Sequence, residues 1–108
     1  MTKYLVKVTS SALKDMETIY KYIAYELGAP QAAGNTYDKI AEEILKLENF
    51  PERNKVLNYQ FSTNVQLRQI VIGNYLVLYY IENSSVIVLA VLYGRCDIEE
   101  KLNSKYSR

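Results

Sequence analysis

The second half of the chain alternates apolar segments with tight turns, and this pattern limits the fold more than any other feature. Residues 65–72, 75–82 and 86–93 are rich in Val, Ile, Leu and Tyr, as β-strands are. The two separators read GN and NSS, which are residue types typical of hairpin turns. The sequence therefore predicts three consecutive antiparallel strands.

The first half predicts one strand followed by two helices. Residues 3–9 alternate with a period of two, as a strand does. Apolar residues then recur at helical spacing over 10–27, with Ser10 or Ser11 as the cap, and over 30–49, with a proline in the first turn. The joint between the two helices is only a Gly-Ala-Pro triplet, so we expect an antiparallel helical hairpin.

Together these elements predict an α+β fold in the order β-α-α-β-β-β, with the hairpin packed on a mainly antiparallel sheet. The 108 residues are enough for one hydrophobic core, so we expect a single domain over 1–108. Residues 51–64 are predicted to be mainly loop, with a short extended piece near 56–61. A short C-terminal helix is expected from Asp97 to about Ser104.

The composition excludes several classes of catalytic, metal and cofactor site. The chain has no histidine, which excludes Ser-His-Asp and Cys-His hydrolases and histidine-based zinc sites. The single cysteine, Cys96, and the scattered carboxylates have no metal-ligand spacing, and the four glycines form no phosphate loop, so no metal or cofactor is expected. No apolar run approaches the ~20 residues that span a bilayer, and lysines interrupt the amino terminus where a signal peptide would be apolar. We expect a cytoplasmic protein without membrane contact.

The last predicted strand, VIVLAVLY, is apolar on both faces, so something must cover each of them. The cover is either intramolecular, from the C-terminal helix or residues 51–64, or it is another chain. The eleven tyrosines suit a protein interface, although they equally suit packing within a sheet. A homodimer and a hetero-oligomer are both compatible with this pattern.

The order of elements and several local phrases resemble the RelE/ParE superfamily of type II toxin-antitoxin toxins, also called the plasmid stabilisation family. The resemblance covers nearly the whole chain and is somewhat closer to ParE than to RelE. The phrases are Tyr4-x-Val6-x-Val8-Thr9, Ile19-x-x-Tyr22-Ile23-Ala24, Pro30-x-Ala32-Ala33, Phe50-Pro51, Arg68-x-Ile70-x-Ile72-x-Asn74-Tyr75 with Tyr79, and Val91-Leu92-Tyr93-Gly94-Arg95-x-Asp97.

The resemblance implies a toxin that arrests bacterial growth and is silenced by an antitoxin encoded in the same operon. ParE-like members inhibit DNA gyrase, RelE-like members cut mRNA on the ribosome, and a third alternative is an inactive relative that only binds antitoxin. Whether the chain is an enzyme depends on this choice. A RelE-like tyrosine shortly after the second arginine is missing here, which favours the gyrase inhibitor.

The same resemblance suggests the functional residues. Lys55, Arg68 and Arg95 are the catalytic candidates if the chain is RelE-like, because cations would stabilise the phosphorane formed during RNA cleavage. Tyr79, Tyr93 and Arg95 are the candidates for partner binding. Arg95 can equally form a salt bridge to a neighbouring acid, and Arg68 can equally be an ordinary exposed strand arginine.

Overall fold

The computed structural model describes residues 3–57 and 65–94. Within these ranges the chain is an α+β domain, as predicted, with two helices packed on one five-stranded sheet. The strand order is β1-β5-β4-β3-β2; β1 is parallel to β5 and the other neighbours are antiparallel. The strands are β1 (Leu5–Val8), β2 (Lys55–Val56), β3 (Arg68–Ile72), β4 (Tyr75–Glu82) and β5 (Ser85–Tyr93). The expected C-terminal helix and Arg95 lie outside the described residues.

The helical hairpin consists of α1 (Ser10–Lys21) and α2 (Pro30–Leu45). The predicted cap was wrong: Thr9 caps α1, because its hydroxyl oxygen accepts the backbone N–H of Ala12 at 3.1 Å. A π-helical turn over Tyr22–Glu26 continues α1, so helical structure reaches almost to the predicted end. Gly28 then takes a φ of 65°, the left-handed conformation that glycine allows at a helix end.

The connection after α2 differs from the prediction. Two 3₁₀ turns, Lys46–Glu48 and Pro51–Arg53, follow the helix, and β2 forms within the stretch predicted to be mainly loop. β2 exists because its backbone pairs with β3, with Val56 opposite Arg68. β3 itself begins at Arg68, three residues later than expected.

The sheet is buried on both faces. The helix side contains the main core, which includes Met16, Ile40, Val77 and Val88. A second cluster on the other face contains the fully buried residues Leu67, Leu78 and Ala90, with Leu57 and Val65 from the β2–β3 connection packed against it. The expectation that β5 is covered on both faces is therefore confirmed, and the chain itself supplies part of the cover.

Beyond the end of β1, one acidic side chain accepts a hydrogen bond from the backbone of β5. A bulge shifts the register between β4 and β5 at Leu89, and the backbone N–H of Val91, two residues further on, donates to the Asp15 carboxylate at 3.0 Å. Asp15 thus links α1 to the sheet. None of the described helices is long and apolar enough to cross a membrane.

Candidate functional site

The most elaborate local structure is the turn over residues 49–54, which leads from the end of the helical hairpin to β2. Phe50 has φ 49° and ψ 55°, a left-handed conformation, and Pro51 begins the short 3₁₀ turn that follows. The turn runs past β3 and β4 on the helix side of the sheet. Its backbone carbonyls accept hydrogen bonds from the side chains of Arg53, Arg68 and Tyr79.

Arg68 and Tyr79 hold the turn from the sheet. These residues are directly opposite each other on β3 and β4, so their side chains share one face. The Arg68 guanidinium donates through Nη1 to the carbonyls of Glu52 and Asn54, at 2.8 and 2.9 Å. The Tyr79 hydroxyl donates to the carbonyl of Pro51 at 2.6 Å, and the whole Tyr79 side chain is buried.

Arg53 holds the turn from within. Its Nη1 donates to the carbonyls of Asn49 and Phe50, the latter at 3.0 Å. The carbonyl oxygens of the turn therefore point toward cationic and hydroxyl donors. The Phe50 side chain is 59% exposed.

Burial raises the pKa of Tyr79. The side-chain amide of Asn54 lies close enough to the Tyr79 hydroxyl to offset part of that effect, as do the charges of Arg68 and Arg53. Asn54 Nδ2 is nevertheless buried without a partner that meets the geometry of a hydrogen bond. The Pro51 carbonyl is therefore the one well-formed partner that the described residues give this hydroxyl.

A second contact fastens the turn to β1. The hydroxyl of Tyr4 donates to Oε2 of Glu52 at 2.5 Å. This hydrogen bond lowers the pKa of the Glu52 carboxyl and raises the pKa of Tyr4. Both groups lie at the surface, so the contact fixes an orientation more than it adds stability.

The structure separates the two catalytic candidates that it describes. Val56 is opposite Arg68, whereas Lys55 is opposite Gln69. Opposed residues share a face and successive residues alternate, so Lys55 and Arg68 start from opposite faces of the sheet. Arg95 lies outside the described residues, so its place beside them stays a prediction.

The two predicted partner-binding residues that the structure describes differ in their exposure to solvent. The Tyr79 side chain has no exposed surface and its hydroxyl donates to the turn, so its role in binding stays a prediction. Tyr93 is 48% exposed and packs edge-on against Tyr75, with ring centroids 6.0 Å apart. Burial, followed by the nearby Tyr93 and Tyr22 hydroxyls, raises the pKa of Tyr75. Tyr93 is therefore accessible, and its role in binding stays a prediction.

Sequence reasoning did not identify the role of the 49–54 turn. The Phe50-Pro51 phrase was visible, but a residue before proline is expected to be extended, so nothing in the sequence indicated a left-handed Phe50. Arg53 is not among the candidate residues that the sequence suggests. In the part of the chain that the structure describes, no three carboxylate or cysteine side chains gather as a metal site would require.

The sequence matches the family model for the ParE toxin of the type II toxin-antitoxin system parDE over residues 6–98. The chain belongs to the ParE toxin family. The resemblance to the RelE/ParE superfamily is thereby confirmed, since the match covers most of the chain. No curated protein matches this ParE-family chain significantly.

Solved structures with the same fold include toxins from both branches of the superfamily. A chain of the chromosomal ParDE system from Pseudomonas aeruginosa has a TM-score of 0.68 at 16% identity, covering 84% of this chain and 96% of that one. The archaeal RelE-RelB complex from Pyrococcus horikoshii gives 0.59 at 19% identity, covering 89% and 100%. The RelBE2 complex from Mycobacterium tuberculosis gives 0.58 at 21% identity, covering 85% and 99%. At these identities the likeness establishes the fold of this ParE-family chain, and its target must be inferred from its own residues.

Proposed function

We propose that this chain is the toxin of a type II toxin-antitoxin system and that it arrests bacterial growth by binding and inhibiting DNA gyrase in the cytoplasm. The observation that carries the choice of target is the separation of Lys55 from Arg68, together with the binding of Arg68 to two backbone carbonyls. Inhibition by binding needs an exposed recognition surface and no hydrolytic group.

Ribonuclease chemistry makes stronger demands. Cleavage by the ribose 2′-hydroxyl needs cations that converge on one phosphate and a group that moves protons. Here the described cationic candidates start from opposite faces of the sheet, and Arg68 supports the 49–54 turn. The sequence has no histidine, and its net charge of +1 is small for a protein that must bind ribosomal RNA. These features support the gyrase inhibitor over the mRNA endoribonuclease.

The proposed partners are an antitoxin encoded beside the toxin and the gyrase target. The similarity to toxins solved as antitoxin complexes supports the first partner. Tyr93 and Arg95 are retained as proposed partner contacts, since Tyr93 is exposed at the end of β5.

The proposal is tested by inducing the chain in bacteria without an antitoxin and pulse-labelling DNA and protein synthesis separately. We expect DNA synthesis to fall first, with a DNA-damage response. An early loss of translation with intact DNA synthesis would instead identify a RelE-like ribonuclease. Normal growth with well-expressed, folded protein would identify an inactive antitoxin-binding module.

A further inference from the structure

Phe50 occupies a conformation that its residue type disfavours. A left-handed backbone with φ 49° is uncommon for any residue with a bulky side chain, whereas glycine and asparagine adopt it easily. Pro51 follows directly, and a proline disfavours helical conformations of the residue before it. The chain therefore holds an aromatic residue where a smaller one would fit with less strain.

Three side chains maintain this conformation. Arg53 bonds the carbonyl of Phe50 itself, while Tyr79 and Arg68 bond the next carbonyls along the turn. Strained conformations persist where the surroundings determine them in this way, and they concentrate at functional sites. The result is that the backbone that carries the ring is fixed before any partner arrives, which lowers the entropy lost on binding.

The Phe50 ring is not part of the packing that stabilises the described fold. Phe50 is 59% exposed and belongs to none of the hydrophobic clusters among the described residues. A ring in water contributes little burial energy to folding, yet aromatic side chains, Phe among them, are enriched at protein interfaces. We propose that Phe50 is the anchor that this toxin inserts into an apolar pocket on DNA gyrase. This inference rests on the proposed function and names the contact that performs it.

The surroundings of the turn suit a protein pocket better than a nucleic acid. A shallow hollow beside it contains Leu45, which is 66% exposed. The charged side chains that line this hollow already have partners. Glu42 pairs with Lys39 at 3.7 Å and Lys46 pairs with Glu43 at 3.1 Å. Glu48 pairs with Lys3 at 3.7 Å, and Arg53 donates to carbonyls of the turn. An apolar centre with an internally neutralised rim matches the make-up of protein interfaces, whereas phosphates require unpaired cations.

The test compares Phe50→Asn with the control Leu27→Asn. Asparagine tolerates the left-handed backbone, so Phe50→Asn removes the ring without adding strain, and Leu27 has the same exposure, 59%, at the far end of the hairpin. Phe50→Gly is the second ring-deleting variant. The measurements are the melting temperature, the affinity for purified gyrase, the affinity for the antitoxin and growth arrest after induction.

We expect both Phe50 variants to melt at or above the wild-type temperature and to lose at least about tenfold in affinity for gyrase, the effect of removing an interface anchor. Their affinity for antitoxin and the gyrase affinity of Leu27→Asn should stay at wild-type values. Wild-type gyrase affinity in folded Phe50→Asn would overturn the proposal. So would a loss confined to antitoxin affinity, which would make the antitoxin the partner of this ring.

The failure of the proposed function gives a different pattern. If the wild-type chain does not bind gyrase, the proposed target is wrong, and Phe50 cannot bind a pocket on gyrase. Growth arrest by Phe50→Asn then still decides whether the ring is needed for toxicity, and undiminished arrest would remove Phe50 from any account of the activity.

Discussion

The buried hydroxyl of Tyr79 tests how the 49–54 turn is held. Replacing Tyr79 by Phe deletes one oxygen and keeps the ring, so packing around it changes little. The carbonyl of Pro51 then loses a partner at 2.6 Å in a site without exposed surface. Leaving a buried polar group unpaired costs about 1–3 kcal/mol, and we expect a loss of about 1.5 kcal/mol because the turn keeps its arginine bonds.

A loss of this size should lower the melting temperature by about 5–10 °C in a domain of about 100 residues. Urea unfolding followed by circular dichroism should give the same change in free energy with an unchanged slope. The matched control is Tyr25→Phe, since Tyr25 is 75% exposed and its hydroxyl should matter by less than about 0.5 kcal/mol. A Tyr79→Phe protein as stable as the control would refute the claim that this hydroxyl holds the turn.

Three further predictions concern other contacts. Asp15→Ala leaves the N–H of Val91 without its carboxylate, so urea unfolding should show a loss of about 1–3 kcal/mol, and a loss below about 0.5 kcal/mol would mean that water replaces the carboxylate. Lys55→Ala should leave growth arrest unchanged after induction, because the exposed Lys55 is not needed for binding gyrase. A Lys55→Ala protein that no longer arrests growth would favour the ribonuclease. Because the fold lowers the pKa of Glu52, chiefly through the Tyr4 hydroxyl, its contribution to stability is present above the ordinary value of 4.5 and lost as the pH falls through the lowered value. In Tyr4→Phe the carboxyl pKa of Glu52 should rise toward 4.5 in a carbon-13 NMR titration, and an unchanged value would assign the shift to other groups.

The meander and the helical hairpin could be predicted because their signals are local. The two-residue loop between β3 and β4 contains Gly73 with φ 58°, and the loop between β4 and β5 contains Asn83 with φ 56°, residue types that adopt this conformation readily. Pro30 likewise begins α2, where its fixed φ is favourable. Each of these positions is decided by the residue itself.

The remaining features depend on distant partners. β2 has only two residues and forms because β3 lies beside it, and Asp15 bonds an N–H that is 76 residues away. From the sequence, Arg68 could be a catalytic cation or equally an ordinary exposed strand arginine, whereas in the structure it donates to two carbonyls of the turn. Spacing in the sequence cannot reveal such contacts, since they require the position of the turn relative to the sheet.

The measurement that tests the central claim most directly is DNA supercoiling by purified gyrase in the presence of the purified toxin. We predict that the wild-type chain inhibits supercoiling in proportion to its concentration, that added antitoxin restores it, and that ribosome-bound mRNA stays intact under the same conditions. Full gyrase activity at saturating toxin, with cleavage of the mRNA, would contradict the account.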